Sequence, residues 1–115
     1  DLASHALIGF DSTTPLVRRA LQAYPRFQRE AFAMRTDSDL AQLSLIRAGA
    51  GIGICQVPLA DGIIPLQRVL AADFSLNLDT WLVMHEGLRH SPACKRVFDF
   101  LAQGLQAYIR GPLAS

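Results

Sequence analysis

Apolar and polar positions come in blocks along this chain, and the blocks predict its elements. Ala6-Leu7-Ile8-Gly9-Phe10 is an apolar run of strand length. Asp11-Ser12-Thr13-Thr14-Pro15 follows, a cluster of cap and turn residues whose proline suits the first helical position. Leu16, Val17, Ala20, Leu21 and Tyr24 then recur near the helical period. Pro25 ends that helix, because it removes a donor and biases Tyr24 away from helix. Ala31-Phe32-Ala33-Met34-Arg35 reads as a second strand. Thr36, Asp37 and Ser38 are all residues that cap helix N-termini, and Leu40, Leu43, Leu45 and Ile46 follow at the spacing of one helical face. Gly49 and Gly51 stop that helix, and Ile52–Cys55 is short, apolar and partly β-branched, as a strand covered on both faces is.

The later part is less regular. Val57–Ala60 suggests a short helical turn, Ile63–Leu66 a loop, and Gln67–Leu70 a short strand. Leu78 to His85 is the longest strand candidate, with Trp81 and Val83 facing one way and Leu82 and Met84 the other. Its near-continuous apolar run predicts burial on both faces, with Trp81 packed. Ser91 as N-cap and Pro92 at the first position open a last helix. It runs through Val97, Phe98, Phe100, Leu101, Leu105, Tyr108 and Ile109 to a stop at Gly111-Pro112. A helix apolar over so much of its circumference wants cover on more than one side.

Strand and helix alternate, which predicts an α/β unit with a mainly parallel sheet flanked by helices. Ligands of such sheets sit at the carboxyl ends of strands. The loops in question are Asp11–Thr14, Thr36–Ser38 and Gln56–Pro58.

Composition narrows the function. At 115 residues with half of them hydrophobic, the chain has enough for one domain with a modest core. Its net charge is +1 and its basic residues are scattered, so nothing in it tracks a phosphate backbone. No apolar run approaches the roughly 20 residues that span a bilayer, so no membrane partner is expected. The start lacks Met, which suggests a piece of a longer protein, and also lacks the basic region of a secretory leader. Two distant cysteines outside any metal-type spacing fit a reducing, cytoplasmic setting.

Candidate chemistry is sparse. Cys55 is the one nucleophile worth naming, but no histidine is placed by spacing to activate it, and a buried thiol is the plainer reading. Asp37 and Asp39 at a helix start read as caps rather than an acid/base pair. His85, Glu86 and His90 do not make the two-histidine helical metal pair. Gly49-Ala50-Gly51-Ile52-Gly53 follows a helix and precedes a strand, the reverse of a dinucleotide fingerprint. No enzyme, cofactor or metal is therefore expected. Thr36 and Ser38, a double hydroxyl at a helix start beside a strand end, are the best candidates to donate hydrogen bonds to an anionic or polar ligand.

The run Leu40–Gln56, L-A-Q-L-S-L-I-R-A-G-A-G-I-G-I-C-Q, resembles the helix–glycine–strand signature in the effector-binding domain of LysR-type transcriptional regulators. Thr80–Glu86, Ser91-Pro92 and the Val97–Leu101 helix resemble that family's C-terminal strand and helix. The resemblance implies a periplasmic-binding-protein type 2 architecture, two α/β lobes with a small-molecule effector between them. Residues 1–79 would be the second lobe, and 80–115 a return strand and C-terminal helix belonging to a first lobe largely missing. DNA would be bound only through an N-terminal helix-turn-helix absent from this chain. The family's effector contacts map onto Arg35, Thr36, Asp37 and Ser38, and onto Cys55 and Gln56. The exposed last helix predicts a homodimer. A solute-binding protein of a transporter shares the fold and is the competing expectation.

Overall fold

The computed structural model of the chain describes residues 2–61 and 65–110. It divides into two compact units, Asp1–Arg68 and Val69–Ser115.

The first unit is built on one short central strand. β1 (Ile8–Gly9) pairs in parallel with β2 (Met34–Arg35), Ile8 opposite Met34 and Gly9 opposite Arg35. On its other edge Leu7 forms a parallel bridge with Ile52. There Ile8 N donates to Ile52 O at 2.8 Å and Ile52 N donates to Ala6 O at 2.9 Å. β1 is paired on both edges and α2 packs against it, and Leu7 and Ile8 are the buried apolar core. Two of the three strands expected in this part occur, parallel and shortened, and of Ile52–Cys55 only Ile52 pairs, as an isolated parallel bridge. Ala31–Phe32 does not join the sheet. The chain makes a 3-10 turn at Arg29–Ala31 and lays the Phe32 ring over Gly9, where a Cβ would stand 2.5 Å from the ring.

Caps fix the helices. α1 (Pro15–Ala23) starts on Thr14, whose hydroxyl accepts from Val17 N at 3.2 Å. α2 (Asp39–Arg47) starts on Ser38, whose hydroxyl accepts from Ala41 N at 3.3 Å. Gly49 follows with φ 72°, a left-handed conformation that glycine adopts without penalty. α3 (Val57–Ala60) is a single turn. The face of α2 differs from the spacing argument: Leu40 is 78% exposed, and the buried side chain is Gln42. At 100° per residue, Leu40 lies about 200° from Gln42, so turning Gln42 inward turns Leu40 out. Leu43, Leu45 and Ile46 are half-buried as expected.

In the second unit, α4 (Pro92–Arg110) opens on Ser91, whose hydroxyl accepts from Cys94 N at 3.4 Å. Neither Gln67–Leu70 nor Leu78–His85 forms a strand. Leu70 takes φ 54° and its carbonyl accepts from Asp73 N and Phe74 N, so the first run ends in a tight turn. The second keeps a strand's alternation: Leu82 and Met84 are half-buried, while Trp81 and Val83 are 81% and 82% exposed. The expected packing of Trp81 is thus not found, because no described strand pairs with its segment. Along α4, Cys94, Phe98, Ala102 and Leu105 form a half-buried stripe, and Val97, Phe100, Leu101, Tyr108 and Ile109 stand exposed. The predicted stop at Gly111-Pro112 and Ile63 and Ile64 of the Ile63–Leu66 loop lie outside the described residues.

Candidate functional site

Parallel pairing sends the carboxyl ends of β1, β2 and the Ile52 segment to one edge of the sheet. Phe10–Ser12, Thr36–Ser38 and Ile54–Gln56 leave that edge side by side. With strands about 4.8 Å apart, the outer two segments lie about 10 Å from each other, with the end of β1 between them.

Thr36 is held by backbone. Its N–H donates to Gly9 O at 3.0 Å, continuing the β1–β2 ladder, and its carbonyl accepts from Gln42 Nε2 at 2.7 Å. Its hydroxyl oxygen accepts from Ser38 N at 3.2 Å. The Ser38 hydroxyl in turn accepts from Ala41 N. Both hydroxyls are therefore fixed as acceptors, and each keeps its own proton to donate. The amides of Asp39 and Leu40, which open α2, have no acceptor among the described residues, the normal state of a helix first turn. Two hydroxyl protons and two helix-start amides together make a donor-rich surface that suits an acceptor group, best an anion.

The charges around it are nearly all committed. Asp37 turns to the loop after β1, where Oδ1 accepts from Asp11 N at 3.0 Å and Ser12 N at 2.9 Å, and Oδ2 accepts from Ser12 Oγ at 2.6 Å. The Ser12 hydrogen bonds, its hydroxyl first and its amide second, hold the Asp37 carboxyl below the usual aspartate range against desolvation, with the Asp11 amide and the Arg29 charge adding less. Arg29 is spent on Asp11, Nη2 to the carboxylate at 2.6 Å and Nε to the carbonyl at 3.0 Å. Arg35 makes only a loose ion pair with the same carboxylate, at 3.7 Å.

Arg35, Thr36, Asp37 and Ser38 are thus contiguous, Arg35 ending β2 and the other three forming the loop that follows it. Cys55 and Gln56 reach the same edge, but no hydrogen bond ties them to the first four. Cys55 is half-buried and free, and desolvation pushes its thiol up, with Arg47 opposing weakly. Gln56 is exposed and precedes α3 without a side-chain cap. Sequence reasoning missed Gln42, Asp11, Ser12 and Arg29 as parts of this edge. The Asp11–Thr14 loop was a visible candidate, but the contacts of Asp11, Ser12 and Arg29 join residues 18 to 26 positions apart. Gln42 showed only as a polar residue inside an apolar helix. A hollow of about 360 Å³ lies beside this cluster, lined by Thr13, Leu21, Pro25, Gln28, Arg29 and Glu30, of which only Thr13 belongs to an expected ligand loop. Among the described residues no group of His, Cys, Asp and Glu could hold a metal ion, and no helix is long and apolar enough to cross a membrane.

A parallel α/β unit whose strand ends present such a donor surface has the build of a ligand-binding lobe, in the manner of type 2 periplasmic binding proteins. The family model of the LysR substrate binding domain matches residues 1–106, and the chain belongs to that family. Domains of this family are parts of transcription regulators and share the type 2 periplasmic-binding-protein fold. Comparisons with curated proteins and with solved structures find no match.

Proposed function

We propose that this chain is the effector-sensing part of a LysR-type transcriptional regulator, and that it binds a small anionic effector on Arg35, Thr36 and Ser38, with Cys55 and Gln56 bordering the same edge. The observation that carries this is the pair of hydroxyls already fixed as acceptors beside two α2 amides with no acceptor among the described residues, next to Arg35, which is held only loosely by Asp11 at 3.7 Å. Residues 1–79 would supply the second lobe, and 80–115 a return segment and a helix that belong to the first, most of which lies outside this chain. The closed, liganded arrangement binds effector better than the open one, and that difference is the signal passed to an N-terminal helix-turn-helix, the only part that touches DNA. The protein works in the cytoplasm as a homodimer, which the exposed Val97, Phe100, Leu101, Tyr108 and Ile109 of α4 favour.

Alanine is a poor probe here, because the Ser38 hydroxyl also caps α2 and its loss costs about 1 kcal/mol. Ser38→Asp keeps the cap acceptor but replaces the donor with a charge that repels an anion, and Thr36→Val removes the other hydroxyl. A reporter strain carrying the complete regulator is screened with small carboxylates for an inducer. The double variant should leave basal DNA occupancy unchanged and abolish the response. An inducer that works equally well on the variant refutes the site.

A further inference from the structure

We propose that Asp37 is a positioning residue: a clasp that joins the loop after β1 to the loop after β2, so that Thr36 and Ser38 are presented as one fixed pair. The residue sits between the two hydroxyls in sequence, yet its carboxylate faces away from both and into a neighbouring loop. Three donors from Asp11 and Ser12 converge on its two oxygens, at 3.0, 2.9 and 2.6 Å. Two consecutive backbone N–H groups and the hydroxyl of the second residue form a concave anion seat, of the kind that elsewhere receives a bound anion. Here the chain fills the seat with its own side chain.

The rest of the cluster keeps that seat in place. The carboxylate of Asp11 does not compete for it, because Arg29 draws it off at 2.6 Å and Arg35 faces it at 3.7 Å. The charged groups around Asp37 are therefore Asp11, Arg29 and Arg35. Two further bonds complete the frame: Thr36 N donates to Gly9 O, and the Gln42 side chain donates through Nε2 to Thr36 O. An ion pair on a surface contributes little alone. Three charge-assisted hydrogen bonds from a single loop instead fix where that loop sits. Asp37 accordingly acts on a ligand through Thr36 and Ser38 and does not touch it. That consequence for effector binding rests on the function proposed above. The clasp itself does not, and it is tested without any effector.

The test is a pH titration of the chain followed by NMR, reading the carboxyl carbon of Asp37 and the backbone amides of Asp11, Ser12, Thr36 and Ser38. The clasp predicts one shared midpoint for all five, below the ordinary aspartate value of 3.8. Asp37→Ala, measured in the same way, controls for the carboxyl of Asp11. It should remove the shared transition and shift the amides of both loops at neutral pH. Ser12→Ala, which deletes one donor of the three, should raise the shared midpoint toward the ordinary value. Amides of Asp11 and Ser12 that ignore the Asp37 titration overturn the proposal, as do Thr36 and Ser38 amides unmoved by Asp37→Ala. The wild-type titration decides the matter even if a variant does not fold.

Discussion

Gln42 offers the sharpest test of how the site loop is supported. It is the one polar side chain buried among the described residues, 3% exposed, and its Nε2 donates to Thr36 O at 2.7 Å. Gln42→Met keeps length and volume and deletes only the donor. The Thr36 carbonyl then loses its partner beneath a packed helix, a cost of about 1–3 kcal/mol. That is a large share of a stability of about 5–15 kcal/mol for a domain. With a urea slope of about 1–3 kcal/mol per molar, the midpoint should fall by on the order of 1 M at unchanged slope. Gln42→Glu adds a sign. The protonated acid can donate as the amide does, and the carboxylate cannot. Burial and the facing carbonyl raise the folded-state pKa above the unfolded value of about 4.3. The extra stability is therefore present below that pH and lost as pH rises through the folded value. An unmoved urea midpoint in Gln42→Met, or a Gln42→Glu variant that gains stability with rising pH, would refute the reasoning.

Four further outcomes concern other parts of the chain. Gly9→Ala places a methyl 2.5 Å from the Phe32 ring and should cost about 1–3 kcal/mol by urea unfolding, most of it recovered by adding Phe32→Leu. Desolvation holds the Cys55 thiol above its ordinary 9.0, so at pH 8 Cys55 should alkylate more slowly in the folded chain than in urea. Because the unfolded thiol ionises first, Cys55 should also contribute stability that is full below pH 9.0 and lost as pH rises through the folded value, visible as a difference from Cys55→Ala. Light scattering at micromolar concentration should find dimers that Phe100→Glu with Leu101→Glu dissociates; a monomer with the α4 amides fully protected would contradict the dimer.

What the sequence made legible was local chemistry. Thr14-Pro15, Ser38, Ser91-Pro92 and Gly49 mark their helix ends correctly, because a cap or a left-handed turn is decided by a few adjacent residues. The first two strands were legible in order but not in length, while Gln67–Leu70 and Leu78–His85 form no strand. Pairing is settled by partners far along the chain, so Ala6–Phe10 keeps only Ile8–Gly9 as strand. Leu78–His85 shows alternation without any ladder. The burial of Gln42 in place of Leu40 depends on a carbonyl six residues back that periodicity does not weigh. The site residues on the Thr36–Ser38 loop were readable as a cap cluster. That Asp37 belongs to the neighbouring loop was not, because its partners are 25 and 26 residues away.

The central claim is that Thr36, Ser38 and the start of α2 receive a small anion. The most direct measurement is a titration of the chain with a panel of small carboxylates, followed by calorimetry and by backbone amide shifts. The account predicts that a binding carboxylate moves the amides of Phe10–Ser12, Thr36–Leu40 and Cys55–Val57. It also predicts that Thr36→Val with Ser38→Asp weakens that carboxylate by at least about tenfold, or about 1.4 kcal/mol. Unchanged affinity in the double variant, or shifts centred on Leu21, Pro25 and Gln28 in the neighbouring hollow, would contradict it.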